Sequence, residues 1–120
     1  MANIEKLTIW QKAIDLSTDI YRLTTKNTNI KNDYGLKDQL QRSSVSIASN
    51  IAEGGDRSSQ KEFARFLFIA RGSCSELKTQ LVIIKRLDYL SDQEFDSLHE
   101  KIIILHKMIN GMIQKVVKNV

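Results

Sequence analysis

Proline is absent from the 120 residues, and glycine occurs only 5 times. Short strands joined by tight turns need more of both, so a β-sandwich or barrel is not expected. A single cysteine, Cys74, excludes an internal disulfide framework and any zinc site built from several thiolates. No uncharged apolar stretch approaches the roughly 18 residues that would span a bilayer. The segment Met1-Ala2-Asn3-Ile4-Glu5-Lys6 lacks a positive region followed by an apolar run, so no signal peptide is visible and the expected location is the cytoplasm.

What is present is an ordinary globular composition, 42% hydrophobic and 27% charged. That excludes a disordered tail or a collagen-like fibre. The length is that of one domain, 1–120, able to bury roughly 65% of its unfolded surface around one core. The net charge is +4. From Lys101 to Val120 there are four lysines (Lys101, Lys107, Lys115, Lys118) and no acid. This mild basicity permits an anionic partner without requiring one.

Hydrophobic periodicity predicts four helices, at about 4–25, 33–53, 59–88 and 92–118. In the first, Leu7, Trp10, Ile14, Ser17, Tyr21 and Thr24 recur at steps of three and four. The polar run Thr24-Thr25-Lys26-Asn27-Thr28-Asn29 then reads as a loop. Asn32 or Asp33 can cap the second helix, whose stripe is Leu36, Leu40, Ser44, Ile47 and Ile51. Gly54-Gly55 reads as its C-cap. Ser59-Gln60-Lys61-Glu62 and Ser91-Asp92-Gln93-Glu94 both fit the capping box, and each opens a long amphipathic pattern. The third helix carries Phe63, Phe66, Leu67, Ala70, Cys74, Leu77, Leu81 and Ile84. The fourth carries Phe95, Leu98, Ile102, Leu105, Ile109, Met112 and Val116. Gly72, mid-helix, reads as a close helix crossing. The short turn between the last two helices makes them antiparallel neighbours.

The expected fold class is therefore all-α: an antiparallel, up-down-up-down four-helix bundle. Ile102-Ile103-Ile104-Leu105 is apolar around the whole circumference of the last helix, and Phe63–Ala70 repeats the excess on the third. A bundle helix buries only one stripe. The surplus is either local crowding or a second buried face, which would place Phe68, Ile103 and Ile104 in a homo-oligomer interface.

No catalytic constellation emerges. Cys74 lies on an apolar stripe, away from the histidines. His99 and His106 cannot complete a metal shell, and no Glu-x-x-His occurs. Gly54-Gly55 followed by Asp56-Arg57-Ser58 matches neither nucleotide-binding fingerprint. No cofactor or metal is expected. Asn50, Glu53, Ser73 and Glu76 lie beside the core stripes and must find partners. Either they form an interhelical hydrogen-bond network or they include a carboxylate pair without a third member. Two basic rows stand out. Arg57, Lys61 and Arg65 repeat every four residues, and Arg71, Lys78 and Lys85 every seven. Such rows are either a solvated face or a track for a phosphate backbone.

Three stretches carry a resemblance: Leu7-Thr8-Ile9-Trp10-Gln11-Lys12-Ala13, Gln39 to Gly54 with its Ser46-Ile47-x-x-Asn50-Ile51-x-Glu53-Gly54 core, and Phe63 to Leu77. They are similar to the bacterial four helix bundle protein family, over about Leu7 to Val117. Its founding members are encoded by intervening sequences in the large-subunit ribosomal RNA gene, and the accessory variability determinant of diversity-generating retroelements is a relative. The resemblance implies a bundle that assembles as a ring, a homopentamer, with no established enzymatic activity and with a basic surface suited to nucleic acid or ribonucleoprotein partners. Asn50, Glu53, Gly54, Ser73 and Glu76 fall on the family's polar signature, and Arg65 and Arg71 on its third-helix positions. The chain departs from the family's pattern at Asn29–Leu36, where members often carry a proline and a glutamate.

The functional expectation is a non-catalytic, oligomeric protein that binds nucleic acid, RNA in preference to DNA. Arg57, Lys61, Arg65, Arg71, Lys78, Lys85, Lys107, Lys115 and Lys118 would contact phosphates. Two rival readings stand beside it: a scaffold that docks a protein such as a polymerase and uses its charge for steering, and, less in keeping with the residues, an enzyme.

Overall fold

Thr8 to Lys26 contains neither glycine nor proline and forms the first long helix, α1, after a 3-10 turn at Ile4–Lys6. The computed structural model describes residues 3–120. Met1 and Ala2, part of the N-terminal reading above, lie outside the described residues. After α1 come α2 (Thr28–Asn32), α3 (Tyr34–Gly55), α4 (Gln60–Arg86) and α5 (Asp92–Lys118).

The expected loop after α1 is in part the five-residue helix α2. Asn27 Oδ1 accepts from the Ile30 backbone N–H at 3.1 Å, a side-chain cap on a turn that fully buried Ile30 pins to the core. Asp33 caps α3, accepting from Leu36 N–H at 3.3 Å. The Ser91 capping box forms in full. The Ser59 box forms by half: Ser59 Oγ accepts from Glu62 N–H at 3.1 Å, but the Glu62 carboxylate turns to Arg65 Nε, 2.7 Å away.

Side-chain bonds fix the topology. Ser17 meets Ser44 and Thr24 meets Gln41 between α1 and α3. Ser46 meets Ser73, and Ser43 meets Gln80, between α3 and α4. Arg71 meets Asn110 between α4 and α5, and Asp19 meets Lys101 between α1 and α5. Between α1 and α3, between α3 and α4, and between α4 and α5, where Lys85 also meets Asp92, one residue number falls as the other rises, so successive long helices alternate in direction around one core; the molecule measures 45 × 21 × 20 Å. At one end, Asn27 Nδ2 donates to Tyr89 O at 2.6 Å, tying the α1–α2 junction to the α4–α5 turn.

One sequence expectation is corrected in the core. The buried stripe of α1 is Ile9, Ala13, Leu16, Ile20 and Thr24, whereas Ile14 and Tyr21 are exposed. Both stripes have helical spacing, and the docking of α3 and α5 selects between them. Each fully buried Leu or Ile contributes about 1.5–3 kcal/mol.

The glycines also exchange roles. Gly54 and Gly55 stay inside α3, and no described glycine has positive φ. The left-handed residue is Asp88, φ 62°, just past α4. There Tyr89 N–H donates to Ile84 O and Asp88 N–H to Lys85 O, both at 3.0 Å, which is a Schellman motif with aspartate in glycine's usual place. The close crossing is at Gly54, not Gly72. A Cβ on Gly54 would lie 2.8 Å from Phe66 Cβ, whereas one on Gly72 would meet nothing within 4 Å.

Candidate nucleic-acid interface

The basic residues singled out in the sequence do not form one continuous track. Arg57 lies in the turn after α3, and its guanidinium sits 4.9 Å from the centre of the Phe66 ring. Arg65 takes a second position on that ring at 4.5 Å. Each also has a carboxylate partner: Arg57 meets Glu53 at 3.6 Å and Arg65 meets Glu62 at 2.7 Å. The Arg65 hydrogen bond, helped by the charges of Arg57 and Lys61, holds the Glu62 carboxyl below its usual range. Lys85 meets Asp92 at 2.6 Å; that bond raises the lysine's pKa and lowers the aspartate's. These solvent-screened pairs add little stability. They do remove three of the nine candidate cations from the unpaired set.

Arg71 and Lys78 differ. Among the described residues neither forms an ion pair. Arg71 lies on the α5 side of α4, where its Nη1 donates to Asn110 Oδ1 at 2.9 Å and its guanidinium stacks 4.8 Å from the Phe68 ring centre. Asn110 Nδ2 reaches towards His106 Nδ1 at 3.4 Å. The antiparallel register set by the Arg71–Asn110 bond puts His106 level with Ser75, between Arg71 and Lys78. Partial burial, and then the charges of Arg71 and Lys78, lower the His106 pKa below its usual value. His99 is separate, stacked on Phe95 at 5.1 Å.

The other candidate lysines are dispersed. Lys61, Lys107, Lys115 and Lys118 are all exposed. Lys61 lines a shallow concavity with Arg65, Phe68 and Val117. Lys115 lies on the opposite side of α5, with Leu7 and Met108 in the groove between α1 and α5. The sequence reading missed His106 and Asn110 as members of a basic site. Their i, i+4 spacing on a helix expected to lie antiparallel to Arg71 and Lys78 was the available signal.

The polar signature divides. Asn50 Nδ2 donates to Ser46 O at 2.8 Å and to Ser46 Oγ at 3.0 Å, and Ser46 Oγ meets Ser73 Oγ at 2.8 Å. This is an interhelical network between α3 and α4. Gly54 is the contact point of the same two helices. Glu53 and Glu76 lie on the surface, the first beside Arg57 and the second in a shallow groove with Gln39 and Thr79.

Of the apolar surplus, Phe68 is 45% exposed and Ile104 43%, while Ile103 is half-buried. Ile69 and Ile83 are also exposed on α4. Cys74 is fully buried, and desolvation pushes its pKa up to about 12, so the thiol is protonated at neutral pH. Among the described residues, no helix is long and apolar enough to cross a membrane.

The family model described as 23S rRNA-intervening sequence protein matches residues 5–111. Among solved structures, the chain is similar to a protein of unknown function from the S23 ribosomal protein family of Bacteroides thetaiotaomicron. The TM-score is 0.83 at 23% identity, over 88% of this chain and 98% of that one. At that identity the likeness shows the fold, a helical bundle. No curated protein matches the chain.

Proposed function

This chain belongs to the 23S rRNA-intervening sequence protein family, and from that premise we propose that it is a non-catalytic, homo-oligomeric RNA-binding protein of the bacterial cytoplasm, encoded within a large-subunit ribosomal RNA gene. The observation that carries the reading is the seam between α4 and α5, where Arg71 and Lys78 stand without a carboxylate partner beside a third nitrogen base, His106. Arg42, Arg57, Arg65, Lys85 and Lys101 each pair with an acid, and Lys61, Lys107, Lys115 and Lys118 are exposed but dispersed; at the seam two unpaired cations and a histidine come together. A face that keeps acids away is suited to a polyanion, and neutralised phosphates release counterions. The rings among the candidate cations, Phe66 and Phe68, are already stacked by arginines, so the contact is to backbone and sequence preference is weak.

Self-association is part of the proposal. Phe68, Ile69, Ile83 and Ile104 leave apolar area exposed on a single chain, and burying it between copies removes that cost. A ring, with five chains as the family resemblance implies, would repeat the basic seam around its circumference and make phosphate binding multivalent.

The test is binding of a labelled ribosomal RNA fragment across a salt series, with a DNA duplex control and light-scattering mass on the same sample. The expectation is a multi-chain particle whose log affinity falls with log salt by about 0.7 per phosphate contacted on a single strand. A double variant, Arg71→Glu with Lys78→Glu, should flatten that slope. No binding at low salt would sink the RNA reading; a partner retained from lysate after nuclease treatment would then support protein docking.

A further inference from the structure

We infer that Arg71, Lys78 and His106, with Asn110 joining the first and last, form one seat for a phosphate oxyanion at mid-length of the α4/α5 seam, and that filling it draws a proton onto His106. The inference rests on the RNA reading above and assigns that reading its central contact: a backbone phosphodiester.

The geometry sets the starting state. Arg71 donates to Asn110 Oδ1, so the Asn110 amide nitrogen is the atom turned to His106. An amide nitrogen only donates. His106 Nδ1 must therefore accept, and the neutral ring carries its proton on Nε2. Arg71 thus selects the histidine tautomer through Asn110, while the Phe68 ring beneath the guanidinium holds Arg71 in place. Arg71, Asn110 and His106 are joined before any ligand arrives, and the exposed Lys78, whose charge also acts on His106, supplies the seat's third donor.

Charge then explains the proton linkage. From α4, the charged groups acting on His106 are Arg71 and Lys78, both cations. On α5 itself the neighbours are Asn110 and Lys107. α1 meets the other side of α5, where Asp19 is engaged with Lys101 and Asp15 lines the same groove, so no α1 carboxylate serves the seam. In the free protein, partial burial and two cations keep His106 neutral near pH 7. A seated phosphate reverses the local sign and favours imidazolium. Protonation at Nδ1 gives up the 3.4 Å contact with Asn110, a long one, and gains a charge-assisted bond to the anion. Affinity must therefore rise as pH falls.

The experiment measures anisotropy of a labelled RNA oligonucleotide between about pH 5.5 and 8, at fixed salt, with wild-type protein and His106→Gln. In parallel, the His106 ring resonances are titrated by NMR, free, with RNA, and with inorganic phosphate. Each unit by which the anion raises the histidine's pKa allows up to about tenfold tightening at low pH. The expected result is about tenfold for wild type, a flat profile for His106→Gln, and an upward shift of the ring titration with either anion. If wild type binds RNA but its pH profile matches His106→Gln, the seat is wrong and the RNA reading stands. If RNA fails to bind while inorganic phosphate still raises the His106 titration, the seat stands and the RNA reading falls. A ring titration unmoved by either anion overturns the seat, and it needs no variant to fold.

Discussion

Replacing Gly54 by alanine adds one methyl group where α3 crosses α4. Its carbon would lie 2.8 Å from Phe66 Cβ, 2.9 Å from Phe63 Cδ1 and 3.2 Å from Phe63 O. The first and third of these atoms belong to the frame of α4 and cannot rotate away. The Phe63 ring is only 5% exposed, so it has little room to swing. Relief requires the helices to separate, which costs about 3 kcal/mol, the upper part of the overpacking range. Against this, alanine is favoured over glycine in a helix by about 1 kcal/mol. The net expectation is a loss of about 2 kcal/mol, or a Tm lower by about 8 °C for a chain of this size. Gly72→Ala is the matched control. That position is helical and exposed, with nothing within 4 Å of the added carbon, so the propensity gain of about 1 kcal/mol should appear undiminished. Urea unfolding followed by far-UV circular dichroism, at equal protein concentration, measures both. If both variants move stability in the same direction, glycine at 54 is not there for space and the argument fails.

Asp88→Gly should raise stability by about 0.5–1 kcal/mol, because aspartate holds φ 62° there at a cost glycine does not bear; an unchanged or lower urea midpoint would contradict the strain. Cys74, buried with its pKa pushed up to about 12, should resist iodoacetamide at about pH 9 while native and react on unfolding; alkylation of folded protein at the rate of a free thiol would refute this. The folded His106 has its pKa lowered, so the unfolded chain binds the proton more readily. Its contribution to stability is therefore fully present above the unfolded value of about 6.5 and is lost as pH falls through the folded one. His106→Gln should make the urea midpoint less dependent on pH across that window, and an identical dependence in both proteins would count against the assigned surroundings.

The four long helices were legible because their apolar stripes on α3, α4 and α5 are unbroken and their starts carry caps: Asp33, Ser59 and Ser91 all accept the backbone N–H expected of them. The short helix α2 was hidden because Asn27, Thr28 and Asn29 have loop-like chemistry, and only the burial of Ile30 makes a helical turn worthwhile there. The second half of the Ser59 capping box was unreadable for a different reason: Glu62 has two possible partners within a turn, and the guanidinium of Arg65 outcompetes the backbone. For the candidate site, Arg71 and Lys78 were visible as a row, and the acids beside Arg57 and Arg65 sit at readable i, i+4 and i, i+3 spacing, but the Lys85–Asp92 pair depends on the turn that brings α5 back against α4.

Sequence alone determined the four long helical segments, since a stripe at 3.6-residue spacing and a capped start are local properties of the chain. It also set the net charge and the absence of a disulfide framework. Tertiary structure decided which of two stripes on α1 faces inward, that Gly54 and not Gly72 marks the crossing, and that His106 and Asn110 stand beside Arg71. Each of these depends on the azimuth and register of one helix against another. Packing sets those quantities across intervals of tens of residues, and no periodicity within a single helix encodes them.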